Sequence, residues 1–103
     1  MRFSDKVYKI VKKIPSGRVS TYKNVAETLG CRAYRAVGNA LNKNSCAPVV
    51  PCHRVVCSDG RTGGFVSGIK NKIRLLNKEG VRVIKGKVLG FEKVFYKINR
   101  LGK

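Results

Sequence analysis

Thr21-Tyr22-Lys23-Asn24-Val25-Ala26-Glu27-Thr28-Leu29-Gly30 runs directly into Cys31-Arg32-Ala33-Tyr34-Arg35-Ala36-Val37-Gly38-Asn39-Ala40-Leu41-Asn42. Thr21 is a side-chain acceptor placed where a helix can begin, and Gly30 is the residue type that ends one. The spacing predicts one helix from Thr21 to about Leu29 and a second from about Arg32 to Asn42. Two short helices around a glycine turn form a helix-turn-helix layout. The same layout occurs in proteins that bind no nucleic acid, so by itself it gives an architecture and no partner.

The flanks extend this core. Upstream, Phe3, Val7, Ile10, Val11 and Ile14 recur at helical spacing, with Ser4 as the expected N-cap and Pro15-Ser16-Gly17 as the stop. Val19-Ser20-Thr21 reads as a short extended segment. Downstream, Ser45 to Val56 holds two prolines and four valines without a helical period, which predicts an ordered loop passing into a short strand. Ile69, Ile73 and Leu76 restore a helical stripe that ends near Gly80. Val81, Val83 and Ile84 alternate like a strand, Lys85-Gly86 turns, and Lys87-Val88-Leu89 can pair back. Phe91, Val94, Phe95 and Ile98 suggest a last amphipathic helix. The expected fold class is mainly α with a small β component, a winged-helix-like domain containing the helix-turn-helix.

Length and charge bound the function. The chain has 103 residues, one domain's worth, and 43% of them are hydrophobic, enough for one core. Lys and Arg number 23 against 5 Asp and Glu, a formal charge of +18. Such a chain repels itself unless a polyanion relieves it, which points to nucleic acid ahead of a solvated basic surface or an anionic membrane. No stretch has the apolar length of a membrane span, and Met1-Arg2-Phe3-Ser4-Asp5-Lys6 has no apolar signal core. The expectation is an intracellular protein, cytoplasmic or, in a eukaryote, nuclear. In a reducing compartment Cys31, Cys46, Cys52 and Cys57 are expected as thiols. Their spacing matches no zinc pattern and the chain has one histidine, so no metal site is expected.

One of those cysteines stands apart. Cys52 follows Pro51 and precedes His53 and Arg54. A nearby imidazole or cation raises the thiolate fraction, as a cysteine nucleophile requires. Adjacent side chains of an extended chain point to opposite faces, however, so His53 would reach the sulfur only through a bend or a water. Adjacency alone favours a buried, inert cysteine beside a solvent-facing histidine.

The wider pattern changes that balance. Pro48-Val49-Val50-Pro51-Cys52-His53-Arg54-Val55-Val56 resembles the active-site signature of the O6-alkylguanine-DNA alkyltransferases (methylated-DNA–protein-cysteine methyltransferases). Ile14 to Tyr22 resembles the segment leading to that family's tyrosine, and Arg35-Ala36-Val37-Gly38-Asn39-Ala40-Leu41 resembles its recognition helix. Gly63-Gly64-Phe65 and Leu75-Leu76-Asn77-Lys78-Glu79-Gly80 resemble the loop and helix that follow. The likeness runs in order from about Phe3 to Gly80. Residues 81–103 then form a basic C-terminal extension of a single domain. The family usually carries a further N-terminal domain, and this chain begins about where the DNA-binding domain does. That suggests a single-domain member or one trimmed to that domain.

The resemblance implies direct-reversal repair. An alkyl group on guanine O6, or on thymine O4, would pass irreversibly to Cys52, once per molecule and with no cofactor. The partner would be double-stranded DNA, bound in the minor groove by a monomer with no membrane involvement. Catalytic roles fall on Cys52 as acceptor, His53 as base, Glu79 as the carboxylate orienting it, and Tyr22 as proton donor to the leaving guanine. Arg35 would fill the stack when the base flips out. Tyr34, Ala33, Ala36, Gly38, Asn39 and Thr21 would line the DNA face. Asn44 would tie the recognition helix to the active-site loop, and Pro48, Val55, Phe65, Val66 and Ser67 would line the lesion pocket. Four positions depart from the family: Tyr34 and Asn39 stand where small residues are common, Ser45 where proline often follows the asparagine, and Val66 where some members use a serine on the guanine oxygen. Two other readings remain: the alkyltransferase-like proteins, which bind lesions without transfer and usually have tryptophan at the cysteine, and a winged-helix regulator. Cys52 argues against the first, and the ordered set Tyr22, Cys52, His53 and Glu79 against the second.

Overall fold

The computed structural model describes residues 2–43, 51–63 and 68–98. Helix α1 covers Phe3–Val11 and buries Val7, Ile10 and Val11. Its first turn closes with Lys6 N–H on the Arg2 carbonyl at 3.1 Å, so Arg2 is the N-cap and Ser4 lies inside the helix. Strand β1 is Ser20–Thr21, and α2 follows at once over Tyr22–Thr28. Thr21 caps α2 as its sequence position predicts, its hydroxyl accepting from Asn24 N–H at 2.9 Å. Gly30, at φ +77°, ends the helix. Its N–H bonds to Glu27 O at 2.9 Å, and Cys31 N–H bonds to Ala26 O at 3.0 Å. That double bond with a left-handed residue reverses the chain toward α3, Tyr34–Asn42.

The three helices pack around one another. Val7, Val11, Val25 and Val37 are fully buried between them, each contributing about 1.5–3 kcal/mol relative to exposure. The Tyr8 hydroxyl donates to Ala40 O at 2.7 Å and pins α1 to α3.

The second half closes over this bundle. A 3-10 turn at Cys52–Arg54 leads into β2, Val55–Val56, which pairs in parallel with β1 through Ser20–Val55 and Thr21–Val56. Helix α4 covers Ile69–Lys78. Strands β3 (Val83–Ile84) and β4 (Lys87–Val88) form the antiparallel hairpin that the Lys85-Gly86 pair predicts. Val81 and Val88 join Val19, Val56 and Leu76 in a second buried cluster.

The expected last helix is shorter than its apolar spacing suggests. Helix α5 covers only Phe91–Val94. The chain then straightens because its backbone finds a better partner: Val19 N–H bonds to Val94 O at 2.9 Å, and Tyr96 N–H to Val19 O at 2.7 Å. Arg18 adds bonds to the Val94 and Phe95 carbonyls at 3.1 and 2.8 Å.

Buried Asn24 joins the two halves. Its Oδ1 accepts from the Ser20 hydroxyl at 2.9 Å and from Ile98 N–H at 2.8 Å. Asn24→Ala leaves both donors without that acceptor, and a buried unsatisfied group costs about 1–3 kcal/mol. We expect the variant to lose about 2–3 kcal/mol of unfolding free energy in a urea titration at unchanged slope. A loss of only about half a kcal/mol would mean that water replaces the amide.

Candidate active site

The 3-10 turn gives Cys52 and His53 a geometry that extended backbone would deny them. Its bond from Arg54 N–H to Pro51 O, at 3.0 Å, curls the chain. Both side chains are consequently buried, each 2% exposed. The turn buries the imidazole next to the thiol-bearing residue, but its Nε2 turns to Glu79 and its Nδ1 makes no hydrogen bond to the Cys52 sulfur.

Across from this turn lies the C-terminal end of α4. Gly80 N–H on Asn77 O (3.0 Å) and Val81 N–H on Leu76 O (2.9 Å) close the helix and leave Glu79 as its C-cap. Glu79 Oε1 meets His53 Nε2 at 3.0 Å. Arg54 takes the same carboxylate with a fork, Nε on Oε1 at 3.0 Å and a short bond from Nη2 to Oε2. Its Nη1 bonds to Ile14 O at 2.8 Å.

An ionised carboxylate only accepts, so His53 Nε2 carries the hydrogen and the neutral ring presents Nδ1 as a lone pair. That nitrogen is buried with no hydrogen-bond partner among the described residues. Burial holds the His53 pKa below its ordinary value; Glu79 pulls it up, and the Arg54 and Lys72 charges push it down. Burial alone would raise the Glu79 carboxyl. The hydrogen bonds and charges of Arg54 and His53 outweigh it, so the net direction is down.

Tyr22 and Lys72 form the second half of the site. Tyr22 opens α2, and Lys72 Nζ lies 3.4 Å from its hydroxyl and 5.7 Å from its ring centre. The same ammonium donates to Val55 O at 2.7 Å. Burial, with the charges of Cys57 and Cys52, pushes the phenol up to about 12. Burial pulls Lys72 from 10.5 down to about 8, and the same two cysteines oppose that shift. Gly63 lets this corner close. At φ +72°, a Cβ there would sit 3.0 Å from the Tyr22 oxygen and 3.3 Å from Cys57 Sγ.

The sequence assigns no role to Lys72, and to Arg54 only that of a cation near the thiol. The stripe Ile69, Ile73, Leu76 is only partly the buried face, since Ile69 is 50% exposed and Lys72 fully buried. A lysine three residues after Ile69 and four before Leu76, within an apolar stripe, was the available signal. Arg54 gave none, because an arginine beside a candidate cysteine reads as a nearby cation.

The expected DNA face is the outer side of α3. Ala33, Tyr34, Arg35 and Asn39 are exposed, and Ala36 and Gly38 half-buried. A Cβ on Gly38 would meet nothing within 4 Å, so the fold itself does not require glycine there. Thr21 is 5% exposed with its hydroxyl on the α2 cap, and Val55 is fully buried in the core. Asn44, Pro48, Phe65, Val66 and Ser67 lie outside the described residues.

Fold and site together define a helix-turn-helix domain with a buried thiol next to an imidazole held by a carboxylate. Residues 2–81 match the family described as 6-O-methylguanine DNA methyltransferase, DNA binding domain, and the chain belongs to that family. It is 49% identical over 77 residues to the methylated-DNA–protein-cysteine methyltransferase of Saccharolobus solfataricus, covering 75% of this chain and 50% of that protein. The chain thus spans about half the length of the curated relatives it matches. S. pombe Atl1, solved with damaged DNA containing O6-carboxymethylguanine, superposes with a TM-score of 0.82 at 33% identity, over 94% of this chain and 99% of Atl1. Mycobacterium tuberculosis OGT, solved with DNA, gives a TM-score of 0.74 at 39% identity, over 77% of this chain and 50% of OGT. The 94% share of the Atl1 match extends beyond residue 81, where the family match ends.

Lys72 has a pH signature. Its folded pKa is about 8 against 10.5 ordinarily, so between those values the unfolded chain holds the proton that the folded chain has lost. Stability from this group is therefore lowest below pH 8 and rises through the window, by at most about 3 kcal/mol. From pH 10.0 to about 12 the raised Tyr22 pKa acts with the opposite sign, since the unfolded phenol ionises first. Thermal melts should show wild type gaining on Lys72→Met as pH rises from 8 to 10.5. A constant difference between the two proteins would place the titration elsewhere.

Proposed function

We propose that this chain repairs O6-alkylguanine in duplex DNA by taking the alkyl group onto Cys52, one group per molecule. The observation that carries the reading is the His53 imidazole, held through Nε2 by Glu79 at 3.0 Å in the residue next to a buried thiol. Nδ1 takes the thiol proton through a water. The thiolate attacks the alkyl carbon, the carbon–oxygen bond breaks, and its electron pair stays on the guanine. Tyr22 supplies a proton to the departing base as negative charge develops there. Lys72, at 3.4 Å, offsets the charge left on the phenol oxygen. The thioether on Cys52 has no leaving path, so the protein is spent.

The exposed face of α3 supplies the DNA contact. Gly38 leaves the helix surface shallow, and Arg35 stands out from it, suited to occupying the gap left by a flipped base. The +18 charge supplies affinity by counterion release. No helix among the described residues is long and apolar enough to cross a membrane. A DNA substrate places the protein in the cytoplasm, or in a nucleus where there is one.

A second reading is lesion binding without transfer, favoured by the near-complete match to Atl1. Intact mass and peptide mapping after incubation with O6-methylguanine duplex decide between them. We expect one methyl group, on Cys52, and none on Cys52→Ala, which still binds the duplex. Binding with no mass change in wild type would establish the second reading. In the same assay, Arg35→Lys should slow transfer from duplex several-fold while leaving transfer from free O6-benzylguanine unchanged, because a free base needs no flipping.

A further inference from the structure

We propose that Arg54 is the positioning residue that keeps His53 uncharged: its guanidinium matches the Glu79 carboxylate, so Glu79 can orient the imidazole without drawing a proton onto it. The inference rests on reading Cys52 as an alkyl acceptor with His53 as its base.

Glu79 faces two demands that conflict. It must accept from His53 Nε2–H to fix the tautomer, which it does at 3.0 Å. A lone carboxylate at that distance also stabilises the imidazolium, and an imidazolium has no lone pair to take a thiol proton. Arg54 removes the conflict geometrically. Its Nε and Nη2 engage both carboxylate oxygens, while Nη1 is anchored on the Ile14 carbonyl at 2.8 Å. The planar fork is held at both ends and cannot swing to another acceptor without breaking the contact to the segment after α1. Arg54, Glu79 and neutral His53 then sum to zero charge. Protonating the ring would leave a net positive cluster next to a second buried cation, Lys72.

The charged groups acting on His53 come from both sides of the turn. Helix α4 contributes Glu79, which raises its pKa, and Lys72, which lowers it; Arg54, from the turn itself, lowers it; burial, the largest influence, also lowers it. From the segment after α1 comes the Ile14 carbonyl, already bonded to Arg54.

His53 is the only histidine in the chain, so its proton NMR titration can be followed directly in wild type, Arg54→Met and Arg54→Lys. Single-turnover transfer from O6-benzylguanine is measured across the same pH range. Arg54→Met should raise the His53 midpoint by on the order of one pH unit. The acid limb of its rate profile should move by the same amount, so that activity lost near neutrality returns at higher pH. Arg54→Lys keeps the charge and should hold the midpoint within about 0.3 unit of wild type, with a modestly slower rate from the lost fork. If Arg54→Met does not fold by circular dichroism, Arg54→Gln carries the same test. An unshifted midpoint in a folded neutral variant, or a rate loss equal at every pH, overturns the proposal and leaves Arg54 a purely structural clamp. No transfer by wild type at any pH overturns the alkyl-acceptor reading instead, while the histidine titration still decides the role of Arg54.

Discussion

Glu79 carries a negative charge at the C-terminal end of α4, where the helix dipole opposes it. It is held there by three contacts: a fork from Arg54 and one bond from His53. That carboxylate links the turn bearing Cys52 to α4, and through Arg54 to the chain segment after α1. Without it the imidazole has no fixed tautomer and the guanidinium loses the acceptor for two of its donors. The dipole penalty is about 0.3–1 kcal/mol. Charge-assisted hydrogen bonds contribute about 1.5–3 kcal/mol each, so the arrangement is favourable despite its position.

The site has two compartments with different electrostatic tasks. Around His53, the charges cancel and the ring stays neutral. Around Tyr22, a buried cation faces a phenol whose burial makes ionisation hard. The first arrangement suits proton acceptance from a thiol, and the second suits proton donation to a leaving base. Parallel pairing of β1 with β2 gives each compartment its own end of the strand pair: Tyr22 follows β1 on the side where Cys57 follows β2, and His53 lies before the start of β2. The two helices of the helix-turn-helix pack against each other, so the α2 that carries Tyr22 also seats the exposed face of α3.

Much of this is legible in the chain because the signals are local. Thr21 caps α2 and Gly30 ends it through bonds within six residues. Lys85-Gly86 turns the hairpin for the same reason. Cys52 and His53 are adjacent, and the resemblance supplies Glu79 and Tyr22, which the structure brings into the same site. What sequence did not reveal depends on distant partners. Residues 95–98 look helical by apolar spacing, but the edge of Val19 and the amide of Asn24 draw them into extended backbone. Lys72 looks like a solvated charge until Val55 O and Tyr22 close around it. Arg54 looks like a cation for the thiol, yet its guanidinium is directed to Glu79 and Ile14.

The central claim is that His53 is a neutral imidazole with its hydrogen on Nε2. Because it is the only histidine, a nitrogen-15 NMR spectrum of the labelled protein near neutral pH contains one imidazole. The account predicts a protonated Nε2 with its hydrogen protected from exchange by Glu79, and an unprotonated Nδ1. Two protonated ring nitrogens near neutral pH, or a hydrogen on Nδ1, would contradict it.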